Sequence, residues 1–515
     1  MKLIFEFHPF FMKNIANILV LFIILSKSLI AQEDVHPCGT PNHLTDWDRE
    51  YNFHPENFNR GGDTVLYIPL SLHNVGTDQG TGYLAYTRIV ESLCRINEDY
   101  KPYNIQFFVP GEMTYINNSA WNNHQEILIG AEMMLQNNVK NTVNLYYNST
   151  AAGNAGYNLP YAGISMLKSY VNGTAHTLTH ELGHAFSVQH TFLGWEGKHY
   201  DNTFYNNPTP QKVTYDYTLF KDSLITNKTI IDTAFVEYVD GSNCSISADK
   251  TCDTKPDYLA YRWSCNTDGT SVQLQKDPNG VDFRADGTLY MSYSNDACQN
   301  RFTDGQIARM RANILSKKKD MLFDQTPPNI ISNNSKLSFP IDSQLVQFDK
   351  VKLEWENTPN ATKYIVQLSR FKAYDIIEFD TVVTTNSVAI NKSLLKDRLY
   401  YWRVKPLNSK FFCTNFSNQI FKTADLVNNI EIEEIGLELY PNPVNQERII
   451  YILNNKLNDK TQLRIYNSFG EIVDSQYLYP YTNQIQIPSS ITNGIYFLQF
   501  SHNDKIITKK ISIAN

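Results

Sequence analysis

Residues 179–192 read THELGHAFSVQHTF, and no straight helix can gather the three histidines of this stretch. At 3.6 residues per turn His180 and His184 project from one face about one turn apart, whereas His190, six positions on, would point about 240° away. The chain must leave the helix after Ala185 and double back if His190 is to join the pair. Two imidazoles at i, i+4 and a third on a returning segment form a nitrogen ligand set for one cation, and zinc takes such sets tetrahedrally with one position open. Glu181, rotated about 100° from the first ligand, reaches the open position rather than the ion. A carboxylate there can take a proton from a water whose pKa the metal lowers toward about 7 and pass it to a leaving amine. Ser187 stands where the reversal would most comfortably place glycine. A left-handed residue there costs serine roughly 1 kcal/mol more than glycine, against about ten times that for a bound zinc. The site is therefore expected to close, and Ser187→Gly to leave stability equal or higher and activity intact.

The rest of the chain shows how many cores surround this segment. At 515 residues it exceeds one ordinary core. The formal net charge of −7, without a long basic run, argues against nucleic acid as the main partner and leaves a small-molecule or protein substrate open. Lys13, the apolar run from Ile15 to Leu25 and a small-residue segment ending at Ala31 read as an export signal over 1–31, too short for a transmembrane anchor. A leader follows over 32–62. From 63 to 325 strand-like runs (TVLYIPLSL, 64–72; NIQFFVP, 104–110; TVNLYYN, 142–148) alternate with helical patterns at 82–96 and 126–135, predicting an α+β domain with helices on a sheet. Thr326-Pro327-Pro328 reads as a linker, after which helical patterns vanish.

Several motifs carry family resemblances. HELGHAFSVQH matches the metzincin pattern HExxHxxGxxH at every position except Ser187, and Thr191-Phe192 after the third histidine narrows the likeness to the pappalysin metalloproteases. Met291 in LYMSYSNDACQNRF resembles the metzincin methionine turn, an apolar floor beneath the histidines, with Tyr293 two positions later. The resemblance implies a mixed sheet with an active-site helix, a loop-rich lower subdomain, and Tyr293 as a donor to a developing oxyanion. The region 326–428, with VKLEWEN, KYIVQLS and YYWRVKP, resembles a fibronectin type III domain; LELYPNPV, NGIYFLQF and KIITKKISI within 436–515 resemble the C-terminal sorting domain of the type IX secretion system. Two β-sandwich-type domains should thus follow the catalytic one, and the last should serve as an address read by the secretion machinery, giving a secreted or cell-surface protein.

The seven cysteines are uneven. By resemblance, Cys244 pairs with Cys252 and Cys265 with Cys298 to brace the lower subdomain; a four-cysteine zinc site competes but lacks CxxC pairs. Cys94 falls on the apolar side of a helix and reads as a buried free thiol. Cys38 in HPCGTPN resembles a pappalysin latency ligand for the metal's fourth position, with a loose thiol or a disulfide to Cys94 as alternatives. Asp249, Asp253 and Thr254 offer hard oxygens for calcium. His176, a turn before His180, is expected to pack rather than ligate. YAGISMLK (161–168) is expected to form the cleft edge along which a peptide lies. The functional expectation is a secreted zinc endopeptidase with Glu181 as general base and acid. The competing one is an adhesin with an inactive metalloprotease-like domain, for which Ser187 is the only motif departure.

Overall fold

The computed structural model describes residues 35–41, 44–160, 162–196, 207–216, 231–425, 437–453, 457, 459–502 and 505–514. The export signal expected over 1–31 lies outside them. Contacts divide the chain into two compact units: Met1–Ser343 with Lys352–Ile390 and Tyr400–Phe421, and Gln344–Val351 with Asn391–Leu399 and Lys422–Asn515.

In the first unit helix α1 (Asp46–Phe53) lies in the leader, held by a capping box between Thr45 and Asp48. The sheet follows: β1 (Leu66–Gly76), β2 (Ile105–Phe108), β3 (Thr114–Asn117), β4 (Val143–Asn148), β5 (Gly156–Leu159) and β6 (Gly163–Leu167), in the order β2-β1-β4-β6-β5, with β3 also pairing β1. All pairs are parallel except β5 with β6. Side chains of β1 are buried on both faces, as in a sheet covered by helices. Helix α2 (Tyr86–Tyr100) lays Ile89, Val90, Leu93, Ile96 and Tyr100 on the core at helical spacing. Helix α3 (Ile127–Asn137) buries Ala131, Met133 and Met134. Helix α4 (Thr177–Ala185) carries the histidines and buries all nine of its residues. The described residues between α4 and α5 (Asp304–Ser316) are mainly loops and turns, and α5 starts on a Thr303–Gln306 capping box. Disulfides join Cys244 to Cys252 and Cys265 to Cys298 within that loop region.

Two expectations need correction. Cys94 is not a free thiol: it is bonded to Cys413, 319 residues away, which leaves Cys38 as the free cysteine. Helical periodicity put Cys94 on the inward side of α2 but could not say which later segment packs there. The sheet edge is β5, not the segment at 161–168, because β6 lies between β4 and β5. The four residues of β5 are too few to give a periodic signal.

A sandwich resembling fibronectin type III follows. One sheet holds Leu337–Phe339, Lys352–Trp355 and Ser387–Ala389; in the other, Lys363–Ser369 pairs antiparallel with Phe379–Val383 and with Leu399–Leu407. It shares a core with the preceding sheet and helices, since Ile365, Leu407 and Phe412 belong to the same buried cluster as Leu93 and Tyr100. Besides Cys94–Cys413, Gln367 Nε2 donates to Thr87 Oγ1 (2.7 Å) and Val109 N to Ser409 O (2.8 Å).

The second unit contains the C-terminal domain. Three strands, Glu438–Tyr440, Ile449–Leu453 and Gln484–Gln486, form one sheet; Ile472–Leu478, Thr461–Tyr466, Gly494–His502 and Lys505–Ile513 form the other in that order. Strict alternation in Thr461–Tyr466 puts Leu463 and Ile465 into a core with Leu498, Phe500 and Ile511.

Candidate metal centre

The first turn of α4 is fastened to α2. Asp99 Oδ2 accepts from Thr179 Oγ1 (2.6 Å) and from His176 Nδ1 (2.8 Å), and Tyr100 OH donates to Thr179 O (3.0 Å). His176 is thus turned to Asp99. Further along α4, Gly183 leaves room for Met291: a Cβ at Gly183 would lie 2.5 Å from Met291 Sδ. Met291 is fully buried, and its carbonyl accepts from Thr191 N (3.2 Å).

The helix ends in a Schellman arrangement. Val188 N donates to Gly183 O (3.0 Å), Ser187 N to His184 O (2.9 Å), and Ser187 takes the left-handed conformation with φ +74°. Serine therefore adopts the backbone geometry that the reversal needs, and His190 returns to the other histidines. The Nε2 atoms lie 3.0 Å apart for His184–His180 and His184–His190, and 3.2 Å for His180–His190. Each Nδ1 is engaged: His180 with Tyr290 O (2.7 Å), His184 with Val188 O (2.8 Å), His190 with Glu196 Oε1 (3.3 Å). An imidazole whose Nδ1 donates to a carbonyl presents an unprotonated Nε2. Burial also disfavours the charged rings, taking His180 down to about 4 and the other two well below their usual value. Three lone pairs thus converge with no donor among them, a grouping that a cation satisfies. Tetrahedral zinc with nitrogens at about 2.0–2.1 Å spaces them about 3.4 Å apart, close to what is seen. The set fits zinc, including the outer partners that orient each ring.

Cys38 is the fourth member: one ligand atom from each of Cys38, His180, His184 and His190 lies within 4.8 Å of the others, and all four residues are buried. Burial, then the nearby Glu181, pushes the Cys38 thiol well above its usual range, whereas a cation among the histidines would act the other way. Glu181 is fully buried. Its Oε2 accepts from Thr40 Oγ1 (2.7 Å), while Oε1 has no hydrogen-bond partner. Burial raises its carboxyl to about 7, opposed by the Thr40 hydroxyl and Cys38. Tyr293 OH donates to Cys38 O (3.0 Å), and its ring stands 5.0 Å from that of His190.

The segment around Cys38 lies along the edge strand. His36 N donates to Gly153 O (3.1 Å), Ala155 N to His36 O (2.8 Å) and Gly39 N to Gly156 O (2.9 Å), while Thr40 Oγ1 also accepts from Asn158 N (2.8 Å). Thr40 stands in the CGT of the leader, but nothing in the sequence pairs it with Glu181.

The three hard-oxygen residues of the loop do not converge. Asp249 Oδ1 accepts from Thr254 Oγ1 (3.0 Å), but Asp253 turns to the start of α5, accepting from Thr303 Oγ1 (2.7 Å) and Gly305 N (2.8 Å). Asp249 Oδ2 and Glu237 Oε2 are buried without partners. Burial raises Asp249 to about 7; burial and then the Asp249 and Asp257 charges raise Glu237 to about 9.

Residues 438–514 match the family described as the secretion system C-terminal sorting domain, which makes the chain an exported protein. Among the described residues no helix is long and apolar enough to cross a membrane. The chain is similar to an extracellular metalloprotease of Colletotrichum graminicola, 24% identical over 58% of this chain and 95% of the relative. Among solved structures it is similar to a Tannerella forsythia promirolysin at 17% identity, with a TM-score of 0.37 over 56% of this chain and 97% of that one. Fibronectin(III)-like modules of Clostridium thermocellum CbhA are similar at 9% identity and a TM-score of 0.17, over 35% of this chain and 93% of theirs.

Proposed function

We propose that this chain is a secreted zinc endopeptidase of the pappalysin type, kept latent by its own leader. The observation that carries the reading is the convergence of three unprotonated Nε2 atoms beside the unpartnered Glu181 Oε1. His180, His184 and His190 would hold zinc, which when bound polarises the scissile carbonyl and lowers the pKa of the attacking water. A peptide substrate would pair with the outer edge of β5, main chain to main chain, in the place now held by His36–Thr40. Glu181 Oε1 would take the proton of the water and return it to the leaving amine. Tyr293 OH, once free of Cys38 O, would donate to the oxyanion, and Met291 would floor the site. Cys38 would occupy the fourth ligand position in the latent state, with Thr40 holding Glu181.

Calcium, if bound, would draw on Glu237 and Asp249, whose buried oxygens lack partners, rather than on Asp253. The similarity to extracellular metalloproteases and the sorting domain support an exported protease. The deciding experiment is Glu181→Ala in leader-free protein, assayed on a peptide library with zinc content measured in parallel. Loss of at least about 100-fold in activity with zinc retained is expected; undiminished cleavage would refute the assignment.

A further inference from the structure

The leader makes a second contact, away from the thiol. On α1, Asp48 is buried and all of its carboxylate is used: Oδ2 accepts from Thr45 N (2.9 Å) and Oγ1 (2.6 Å), while Oδ1 accepts from Ser187 Oγ (2.7 Å) and Arg309 Nη2 (2.7 Å). Ser187 is the residue standing in place of the motif's glycine. Arg309, on α5 and itself buried, donates Nε to Ser187 O (2.5 Å) and Nη1 to Asn52 Oδ1 (2.6 Å), and its guanidinium lies 5.1 Å from the Tyr51 ring. Three of these Arg309 contacts, to Asp48, Asn52 and Tyr51, come from α1. The region carrying the histidines contributes the Ser187 carbonyl and, through space, the Asp249 carboxyl.

A buried guanidinium supplied this way marks a site built for an occupant, because an unpaired buried charge costs several kcal/mol. The hydroxyl of Ser187 adds a donor that glycine cannot provide, on the turn between the second and third histidines. We propose that Ser187 and Arg309 form a carboxylate-binding site on the catalytic region whose occupant is the leader helix α1, so that the leader is anchored independently of Cys38. Asp46, at the start of α1, follows Cys38 by only eight positions. With α1 docked, a thiol that leaves the histidines stays at high local concentration and returns, so opening at Cys38 alone does not release the leader. That consequence rests on the latency reading; the docking does not.

The test is hydrogen exchange of the full chain, following the amides of 46–53, with the rate of Cys38 alkylation by iodoacetamide as a second readout. Ser187→Ala and Arg309→Lys alter the receptor and leave the helix sequence untouched. Loss of a hydrogen bond to a charged group should speed α1 exchange on the order of 10- to 100-fold, while 86–100 exchanges as in the parent chain. Cys38 alkylation should accelerate in the same variants. Cys38→Ser should leave α1 protected. Parental α1 exchange in both receptor variants, or loss of α1 protection in Cys38→Ser, would overturn the proposal. Equal rates of Cys38 alkylation in the zinc-loaded and zinc-free full chain, with α1 still protected, would count against the latency reading alone.

Discussion

Replacing Ser187 with glycine should change sign with the state of Asp48. Two terms act at this position. Relief of the left-handed conformation, φ +74° in the structure, favours glycine by about 1 kcal/mol. Loss of the 2.7 Å hydrogen bond from Ser187 Oγ to the Asp48 carboxylate opposes it by about 1.5–3 kcal/mol. In the parent chain Ser187→Gly should therefore destabilise by about 0.5–2 kcal/mol, the difference of those two ranges. In an Asp48→Ala background the hydroxyl has lost its acceptor, and the same change should stabilise by about 1 kcal/mol. The double-mutant cycle isolates a coupling of about 1.5–3 kcal/mol between residues 139 positions apart. Urea unfolding of the four proteins, with the transition of the catalytic region followed by tryptophan fluorescence, measures it. A kcal/mol should move the thermal midpoint of a region this size by about 2–4 °C. A coupling below about 0.5 kcal/mol, or stabilisation by glycine in both backgrounds, would show that the hydroxyl is idle and that sequence-based accounting of the turn was complete.

Gly183→Ala places a Cβ 2.5 Å from Met291 Sδ; overpacking should cost about 1–3 kcal/mol and lower zinc content measured by mass spectrometry, with partial recovery in Gly183→Ala/Met291→Ala. Removing Cys94–Cys413 opens a connection of 319 residues, worth about 5–6 kcal/mol by loop-closure entropy; Cys94→Ser/Cys413→Ser should split the calorimetric transition of the catalytic region and sandwich into two. For the acidic loop, the folded state holds protons on Glu237 to about 9 and on Asp249 to about 7, above their ordinary 4.5 and 3.8. The stability these two groups contribute in calcium-free protein should therefore be fully present below their ordinary values and be lost as pH rises through 7 and 9. Added calcium should abolish that decline in a thermal scan, and no calcium effect at pH 8 would exclude the site.

The parts of this protein legible in its sequence are those whose signal is local. His180, His184 and Glu181 sit on one helix, so their spacing fixes their relative directions, and the strand Lys363–Ser369 announces itself by composition. The requirement for a reversal before His190 was also local, and Ser187 meets it with the expected backbone conformation. What escaped depends on partners far along the chain. Asp48 meets Arg309 across 261 residues, and Thr40 meets Glu181 across 141. Asp99 is one of 52 acidic residues, and nothing adjacent marks it as the anchor of Thr179. Serine at 187 looked like a cost to be tolerated because its acceptor lies on another element.

The leader contacts also bear on how the site can be both complete and silent. Most groups the proposed mechanism uses already face the leader: the Glu181 carboxylate has Thr40 on Oε2, leaving Oε1 for the water, Tyr293 OH has Cys38 O, Gly156 O has Gly39 N, and the Cys38 thiol lies within 4.8 Å of the histidine nitrogens. Buried polar groups without partners are costly, so removing the leader from an unchanged site raises its free energy until other groups arrive. A peptide along β5 with a water at Glu181 supplies the same kinds of bond: a main-chain donor for Gly156 O, a carbonyl for Tyr293 and a proton for Glu181. The leader therefore resembles a substrate in every interaction except the reacting atom, where a thiol stands in place of a carbonyl and water. On this geometry activation needs no rearrangement of α4 or of the methionine turn. Crystal structures with and without the leader should superpose over His180–His190 and Met291–Tyr293 within coordinate error. Displacement of Tyr293 or of any histidine by more than about 1 Å, the scale of backbone change in pre-organised complexes, would mean that the site is assembled on activation rather than uncovered.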